Sequence, residues 1–475
     1  MTRPSAYQLP EPVPGPVPGP DPGGRLTRAQ LRALRVASLG RRGKRLEGTD
    51  HHVARGVTAG AGRAATQAVA KGTVPRRVRW ARRVMISLVV LLLAALAAIV
   101  RVTSSSSRVE VLAVPSEPVV ARGVAPSLPW PATGEAAVSV PAVGFTAQSG
   151  PEPPVPVASL TKLMTAWVIL RDHPLAFGEV GPTITMTATD VADFELGNQT
   201  DQAGVQVALG EALTERQVLE GLVVRSANNL ANTLARWDAG TIPAFVAKMN
   251  AAARAFGMSH TTFVDANGFD PGSRSTARDL LTVAAALMSN PSFAAMADLP
   301  SVSLPVAGLL YSYTPLVGTE GVIGVKSGFT QAAGGCDVLA LSTTVGGRPV
   351  MVLAAVTGQE GSDVLAQAGS IALQLARVAA SGVLPVRVVS RGELVGIVSS
   401  GGARVRVVAA APASVLAWAG RSVVTSLQVT DPPNGGAGVG TVIGESVVEA
   451  GHQRVAVPVR LAGNLPAPSL AQRLF

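Results

Sequence analysis

Val84 to Val100 reads VMISLVVLLLAALAAIV, seventeen residues without a charge, and Arg76, Arg77, Arg79, Arg82 and Arg83 crowd its N-terminal side. This run limits the fold more than any other stretch, because a segment so apolar and so flanked does not suit the core of a soluble domain. Seventeen residues is the short limit for a helix crossing the hydrocarbon layer of a membrane. Only Arg101 and Arg108 follow closely, so the positive-inside rule puts the N-terminus in the cytoplasm and everything after residue 100 outside. A cleaved leader fits less well, since its basic region would exceed eighty residues. The expectation is a single-pass transmembrane signal anchor at 84–100 in the cytoplasmic membrane, with the folded part of the chain extracytoplasmic.

The charge follows the same division. The 475 residues carry a net +10, but residues 1–83 hold 17 Lys/Arg against 4 Asp/Glu, and the remaining 392 hold 23 against 26. The basic character belongs to a tail, so no nucleic-acid partner is expected. That tail opens with alternating prolines from Pro10 to Pro22 and reads as disordered. Its stretch from Arg25 to Arg45 is either a short amphipathic helix on an anionic membrane or a solvated cationic segment. One cysteine, Cys336, excludes an intrachain disulfide and reads as a small buried apolar residue.

Beyond the apolar run, Ser104–Ser107 and a proline-rich stretch predict a linker over 101–126. Residues 127–382 predict a compact α/β or α+β domain. It has strand-like runs at Ala136–Val140 and Val143–Phe145, helical patterns at Leu160–Leu170, Glu215–Val224 and Asn229–Trp237, and a late hairpin turning at Gly346-Gly347. A helix from Asp363 to Ala380 closes it, and Thr214 to Gln217 forms a capping-box pattern. Residues 383–475 show short valine-rich alternating runs between turns, a small all-β domain without a catalytic constellation.

The chemistry is carried by lysines. The chain has 5 lysines and 35 arginines, and arginine cannot lose its proton whereas a desolvated lysine can. Lys162 follows Ser159 by three residues at a helix start, which places both side chains on one face. A lysine with a depressed pKa can take the serine proton and create a nucleophile. Lys326 is the candidate cation for depressing it. Ser226 and Asn228 stand two apart between helical patterns, a hydroxyl to relay a proton and an amide to hold a carbonyl. Lys326, Ser327, Gly328 and Phe329 close a strand-like run. There a lysine and a hydroxyl can bind a carboxylate, a glycine admits a peptide backbone, and the strand edge offers main-chain hydrogen bonds. The N–H groups of Ser159 and Phe329 can form an oxyanion hole. Taken singly, each element has an ordinary explanation: a helix cap with a surface lysine, a polar turn, a polar strand end.

Together, in this order and separated by 67 and 100 residues, they resemble the motifs of the serine penicillin-recognising enzymes. Within that group the chain resembles the low-molecular-mass penicillin-binding proteins, the serine-type D-Ala-D-Ala carboxypeptidases, especially in their actinobacterial membrane-anchored form. Val155 to Ala166 looks like that family's nucleophile segment. Asn267-Gly268-Phe269-Asp270 with Ser275 to Leu280 looks like its middle segment, and Gly324 to Cys336 like its third-motif strand and turn.

The resemblance implies a penicillin-binding, β-lactamase-like transpeptidase fold with a small C-terminal all-β domain. It implies attack by Ser159 on peptidoglycan stem peptides, with Lys162 as base, Ser226 and Asn228 assisting, and Lys326 with Ser327 on the terminal carboxylate. β-Lactams are expected to acylate the same serine. Ser327 stands where the family most often has threonine. A β-lactamase would need a deacylating glutamate that no segment after Ser226 supplies. A non-catalytic wall-binding scaffold is disfavoured by the intact Lys162, Ser226, Asn228 and Lys326. No cofactor is expected and no metal either, since the five histidines lack ligand spacing.

Overall fold

The computed structural model describes residues 76–104, 110–114, 118–151, 153–400, 402–430, 436–467 and 469. The basic tail up to residue 75, with its expected disorder and amphipathic stretch, lies outside these residues. Helix α1 runs Arg76–Ser104. Its Trp80–Ala97 stretch is long and apolar enough to cross a membrane, and none of it is buried in the structure. At 1.5 Å per residue the 29-residue helix is about 44 Å long, so the seventeen-residue run is the middle of a longer element.

The stretch expected as a linker over 101–126 contributes strands instead: β1, Glu110–Ala113, and β2, Val119–Val120. Val111 packs beside Val398, Val405 and Val459, and Val119 beside Val423. Four residues before a proline-rich stretch carry too little periodicity to announce a strand whose partners lie near residue 400.

The central sheet combines β3 (Glu135–Val140), β4 (Phe145–Gln148), β7 (Val322–Thr330), β8 (Gly334–Val345) and β9 (Arg348–Gln359); β5 (Thr183–Thr185) and β6 (Ala212–Thr214) form a separate ribbon. The central order is β7-β8-β9-β3-β4, every pair antiparallel. Of the two expected classes the domain is therefore α+β. Gly346 and Gly347, both at positive φ (56° and 77°), make the two-residue turn between β8 and β9. That conformation matches the twist of the flanking strands.

Both faces of this sheet are buried, which is why β8 and β9 read as continuous apolar runs. Cys336, Val338 and Ala340 of β8 face one core, and Leu339 and Leu341 face the other. The first core holds α2 (Thr161–Asp172), α3 (Ala188–Gln199), α4 (Glu215–Val224), α5 (Asn228–Ala239), α6 (Ile242–Ala255), α7 (Ala277–Met288) and α8 (Pro291–Ala297). Helix α2 is its axis, buried from Thr161 through Ala166 and from Val168 to Leu170. The second core is closed by α9 (Val364–Ser381), whose Ala368, Ala372, Leu375, Ala376 and Ala379 lie against the sheet. By length and composition α9 also passes as a membrane span, but this apolar face already has a partner.

The last strands are β10 (Val383–Val389), β11 (Leu394–Ser400), β12 (Ala403–Ala409), β13 (Ala413–Trp418), β14 (Ser422–Val429), β15 (Val442–Ala450) and β16 (Gln453–Leu461). β10 pairs with β13, and the others form a sheet in the order β1-β11-β12-β16-β15-β14-β2. Trp418 stacks on Phe145 with ring centroids 3.4 Å apart, joining this region to the edge of the central sheet.

The expected capping box is present at α4: Thr214 accepts from the Gln217 N–H, and the Gln217 side chain accepts from the Thr214 N–H. The first residue of that helix, Glu215, is 1% exposed, and neither of its carboxylate oxygens has a hydrogen-bond partner among the described residues. Burial, with Glu179 nearby, pushes its pKa up to about 7. The folded state therefore holds this proton more tightly than the unfolded chain. Its contribution to stability is complete below the ordinary glutamate range and is lost as pH rises through about 7. Glu215→Gln should unfold at higher denaturant than wild type at pH 8, by about 1–2 kcal/mol, with the gap closing at pH 5. Equilibrium unfolding at the two pH values measures this.

Candidate active site

Three separate segments meet at one buried amine. Val157, Ala158 and Leu160 are buried, and Ala158–Leu160 form a 3₁₀ turn that runs directly into α2. Ala158 sits at φ 47°, a left-handed conformation that a residue with a Cβ takes only under constraint from its surroundings. The turn leaves Ser159 half-buried while Lys162, the second residue of α2, is 1% exposed.

Lys162 Nζ lies 2.8 Å from Ser159 Oγ and donates to Asn228 Oδ1 at 2.5 Å and to the Asn267 carbonyl at 2.6 Å. Asn228 opens α5, and its Nδ2 donates to Gln202 Oε1 at 2.6 Å, which turns its oxygen toward the lysine. The neighbouring Asn229 clamps the Val205 backbone through both amide atoms, at 3.0 and 2.9 Å. Thr165 Oγ1 donates to the Ala266 carbonyl at 2.6 Å and fixes the 266–268 turn on α2.

Asn267 was legible only as part of a family-like segment. Its contribution is a main-chain carbonyl, which no side-chain pattern can announce. The signal lies in the next residue: Gly268 is at φ +80°, and a Cβ there would come 1.8 Å from the Ala158 carbonyl oxygen.

Lys326 is 1% exposed and donates to the Ser327 carbonyl at 2.9 Å. It lies on β7, an edge strand of the central sheet. Burial first, then the positive charge of Lys326, drive the Lys162 pKa far below its ordinary value, with Asp265 opposing. Burial also brings Lys326 down to about 7, opposed by Asp337. Both lysines are thus biased toward the neutral amine, Lys162 by burial and by the charge of Lys326. Ser226, at φ 64°, is 1% exposed, and its hydroxyl has no hydrogen-bond partner among the described residues.

Ser327 follows Lys326 on the same strand. It is wholly buried, its Oγ donates to the Tyr313 carbonyl at 2.9 Å, and its N–H donates to Thr314 Oγ1 at 3.2 Å. That hydroxyl bond ties β7 to the 313–314 segment. Gly328 and Phe329 complete the strand. A Cβ on Gly328 would lie 2.6 Å from Ser159 N, and Phe329 is 46% exposed beside it.

Residues 146–359, which contain every residue of this constellation, match peptidase family S11, D-alanyl-D-alanine carboxypeptidase. The chain is 32% identical over 229 residues to a D-alanyl-D-alanine endopeptidase of Pseudomonas aeruginosa, covering 46% of this chain and 69% of that protein. It belongs to the D-alanyl-D-alanine carboxypeptidase family. Another relative, the D-alanyl-D-alanine carboxypeptidase DacB2 of Mycobacterium tuberculosis, is 36% identical over 185 residues, 38% of this chain and 59% of that one. The family fold extends past the matched segment. A peptidoglycan synthesis regulatory factor (PBP3) from Streptococcus pneumoniae superposes with a TM-score of 0.54 at 19% identity, over 71% of this chain and all of that one.

β7 thus approaches Ser159 too closely at Gly328 to admit a side chain. Gly328→Ala should displace the Ser159 backbone and slow covalent labelling by fluorescent penicillin about 100-fold, with the circular dichroism spectrum unchanged. Stopped labelling time courses measure the rate.

Proposed function

We propose that this chain is a serine D-Ala-D-Ala carboxypeptidase that removes the terminal D-alanine from peptidoglycan stem pentapeptides. The observation that carries the reading is the set of partners around Lys162. A neutral amine has two N–H bonds and one lone pair. Two acceptors, Asn228 Oδ1 and the Asn267 carbonyl, take the two N–H bonds. The lone pair is left for the Ser159 hydroxyl, 2.8 Å away.

In this reading Lys162 takes the Ser159 proton as Oγ attacks the penultimate carbonyl. The N–H groups of Ser159 and Phe329 hold the developing oxyanion. Ser226, with its free hydroxyl, passes the proton on to the leaving amine of D-alanine, and Asn228 positions the peptide. Lys326 binds the terminal carboxylate, and the edge of β7 lines up the substrate backbone. Water then releases the acyl group. β-Lactams, which present a carboxylate and a strained amide in the same relation, acylate Ser159.

Residues 127–382 form the catalytic domain in this reading and 383–475 a β-rich second domain. α1 anchors the chain in the cytoplasmic membrane, N-terminus inside and catalytic part outside, on the basis of the arginines before it.

The full chain in detergent should be labelled by fluorescent penicillin at Ser159 and should release D-alanine from a pentapeptide. Ser159→Ala should do neither, and Lys162→Arg should lower both by about 10²–10⁴-fold, since arginine keeps the charge and cannot accept the proton. Labelling of Ser159→Ala as fast as wild type would overturn the mechanism. Labelling of wild type without D-alanine release would favour a binding role.

The pH profile follows from Lys326. Because its pKa is lowered to about 7, kcat/KM for the peptide should fall as pH rises through that value and the carboxylate loses its cation. Lys326→Arg should carry the falling limb to higher pH. A profile measured from pH 5 to 10 on both proteins checks this.

A further inference from the structure

A second cleft, of about 440 Å³, opens on the helical side of the catalytic region and contains none of the residues assigned above. One wall is the segment Thr183-Ile184-Thr185-Met186-Thr187-Ala188-Thr189, in which hydroxyl and apolar residues alternate. The extended backbone of β5 buries Ile184 and Met186 and turns Thr183, Thr185 and Thr187 outward, with Thr189 exposed on the first turn of α3. Thr187 is spent on capping α3, where it pairs with Asp190. The hydroxyls of Thr183, Thr185 and Thr189 make no side-chain hydrogen bond among the described residues. Packing explains the apolar half of the alternation and leaves the row of free hydroxyls without a structural task.

Thr233, Arg236 and Trp237, toward the end of α5, also line the cleft. Arg236 Nη2 is shared between Asp190 Oδ1 and Asp193 Oδ2, 2.7 Å from each. Asp190 is itself saturated: Thr233 Oγ1 donates to it at 2.6 Å, and the Thr187 N–H at 2.7 Å. The guanidinium is thereby held rigid, with Nε and Nη1 free to donate. Its single positive charge is outweighed by the two carboxylates, a net of −1, so the cleft does not favour an anion. Trp237 lines the same cleft, and its ring centroid lies 4.0 Å from that of His173. Free hydroxyls, fixed donors without net positive charge and an indole together suit a neutral polyhydroxylated ligand, which is to say a saccharide.

The cleft is also connected to the nucleophile. Asn228, Asn232 and Arg236 fall four residues apart on one stripe of α5. Asn228 accepts from Lys162, Asn232 links Asn267 to Asp193 at 3.3 Å on each side, and Arg236 takes Asp193. Eight residues of helix place Arg236 about 12 Å from the catalytic end. An extended pentapeptide spans about 17 Å, and its N-terminal end is the one joined to glycan.

We propose that this cleft is a saccharide subsite that takes the glycan to which the stem peptide is attached. The proposal rests on the carboxypeptidase reading for the identity of the glycan, and its test separates the two. The full chain and the near-isosteric double variant Thr183→Val, Thr185→Val are compared with three probes: a β-1,4-linked N-acetylglucosamine tetramer, a free pentapeptide and the same pentapeptide on a glycan fragment. Wild type should bind the tetramer in ligand-observed NMR. The variant should lose that binding and show a KM about tenfold higher for the glycan-linked peptide, as two lost hydrogen bonds imply. Its kcat, and both constants for the free peptide, should stay at the wild-type value. Failure of wild type to bind the tetramer, or equal KM values for wild type and variant on the glycan-linked peptide, would overturn the subsite and leave the catalytic reading standing. Tetramer binding lost in the variant, with no hydrolysis of either peptide by wild type, would sustain a saccharide site and remove the carboxypeptidase reading.

Discussion

The molecule is organised around the burial of one amine. Lys162 is held at 1% exposure on the central helix, and an ammonium in such a place pays a desolvation cost that its neutral form escapes. Everything that makes this tolerable also builds the site. The N-terminus of α5 supplies Asn228, the 266–268 turn supplies a main-chain carbonyl, and the 3₁₀ turn before α2 supplies Ser159. Displacing any of the three would leave a buried polar group unpaired, so stability and chemistry are served by the same contacts. Lys326 adds a second buried amine and raises the cost of charging the first.

The sheet explains why these parts stay in register. The apolar faces of β8 and β9 are closed on one side by α9 and on the other by the helical layer, and β7 lies at the rim with its outer side unpaired. Gly328 is the point where the rim meets Ser159, and Ser327 ties the rim to Tyr313 and Thr314. Such an edge would ordinarily invite aggregation. Here most of the strand, Gly324 to Gly328, is buried.

Much of this was legible in the sequence, and for identifiable reasons. Scarce lysines in a chain rich in arginine pointed to Lys162 and Lys326, because only lysine can be both buried and neutral. Helix α4 announced its own start through Thr214 and Gln217, and the β8–β9 turn through two glycines. What escaped was chemistry carried by the backbone or by strand alternation. The Asn267 carbonyl has no side-chain signature. The burial of Ser327 depends on which way one residue of an edge strand faces, and a motif does not record that. β1 and β2 were hidden because their partners are remote in the chain, and local pattern carries no information about them.

Those two strands set an order on the making of the protein. Val111 pairs with Val398, and Val119 with Val423, so strands that leave the ribosome early wait for partners synthesised almost three hundred residues later. The whole central sheet and its helical layer are laid down between them, as an insertion within a β-sheet rather than a bead ahead of it. Pairing so distant in sequence is slow to close, and it closes only on a chain long enough to have passed residue 423.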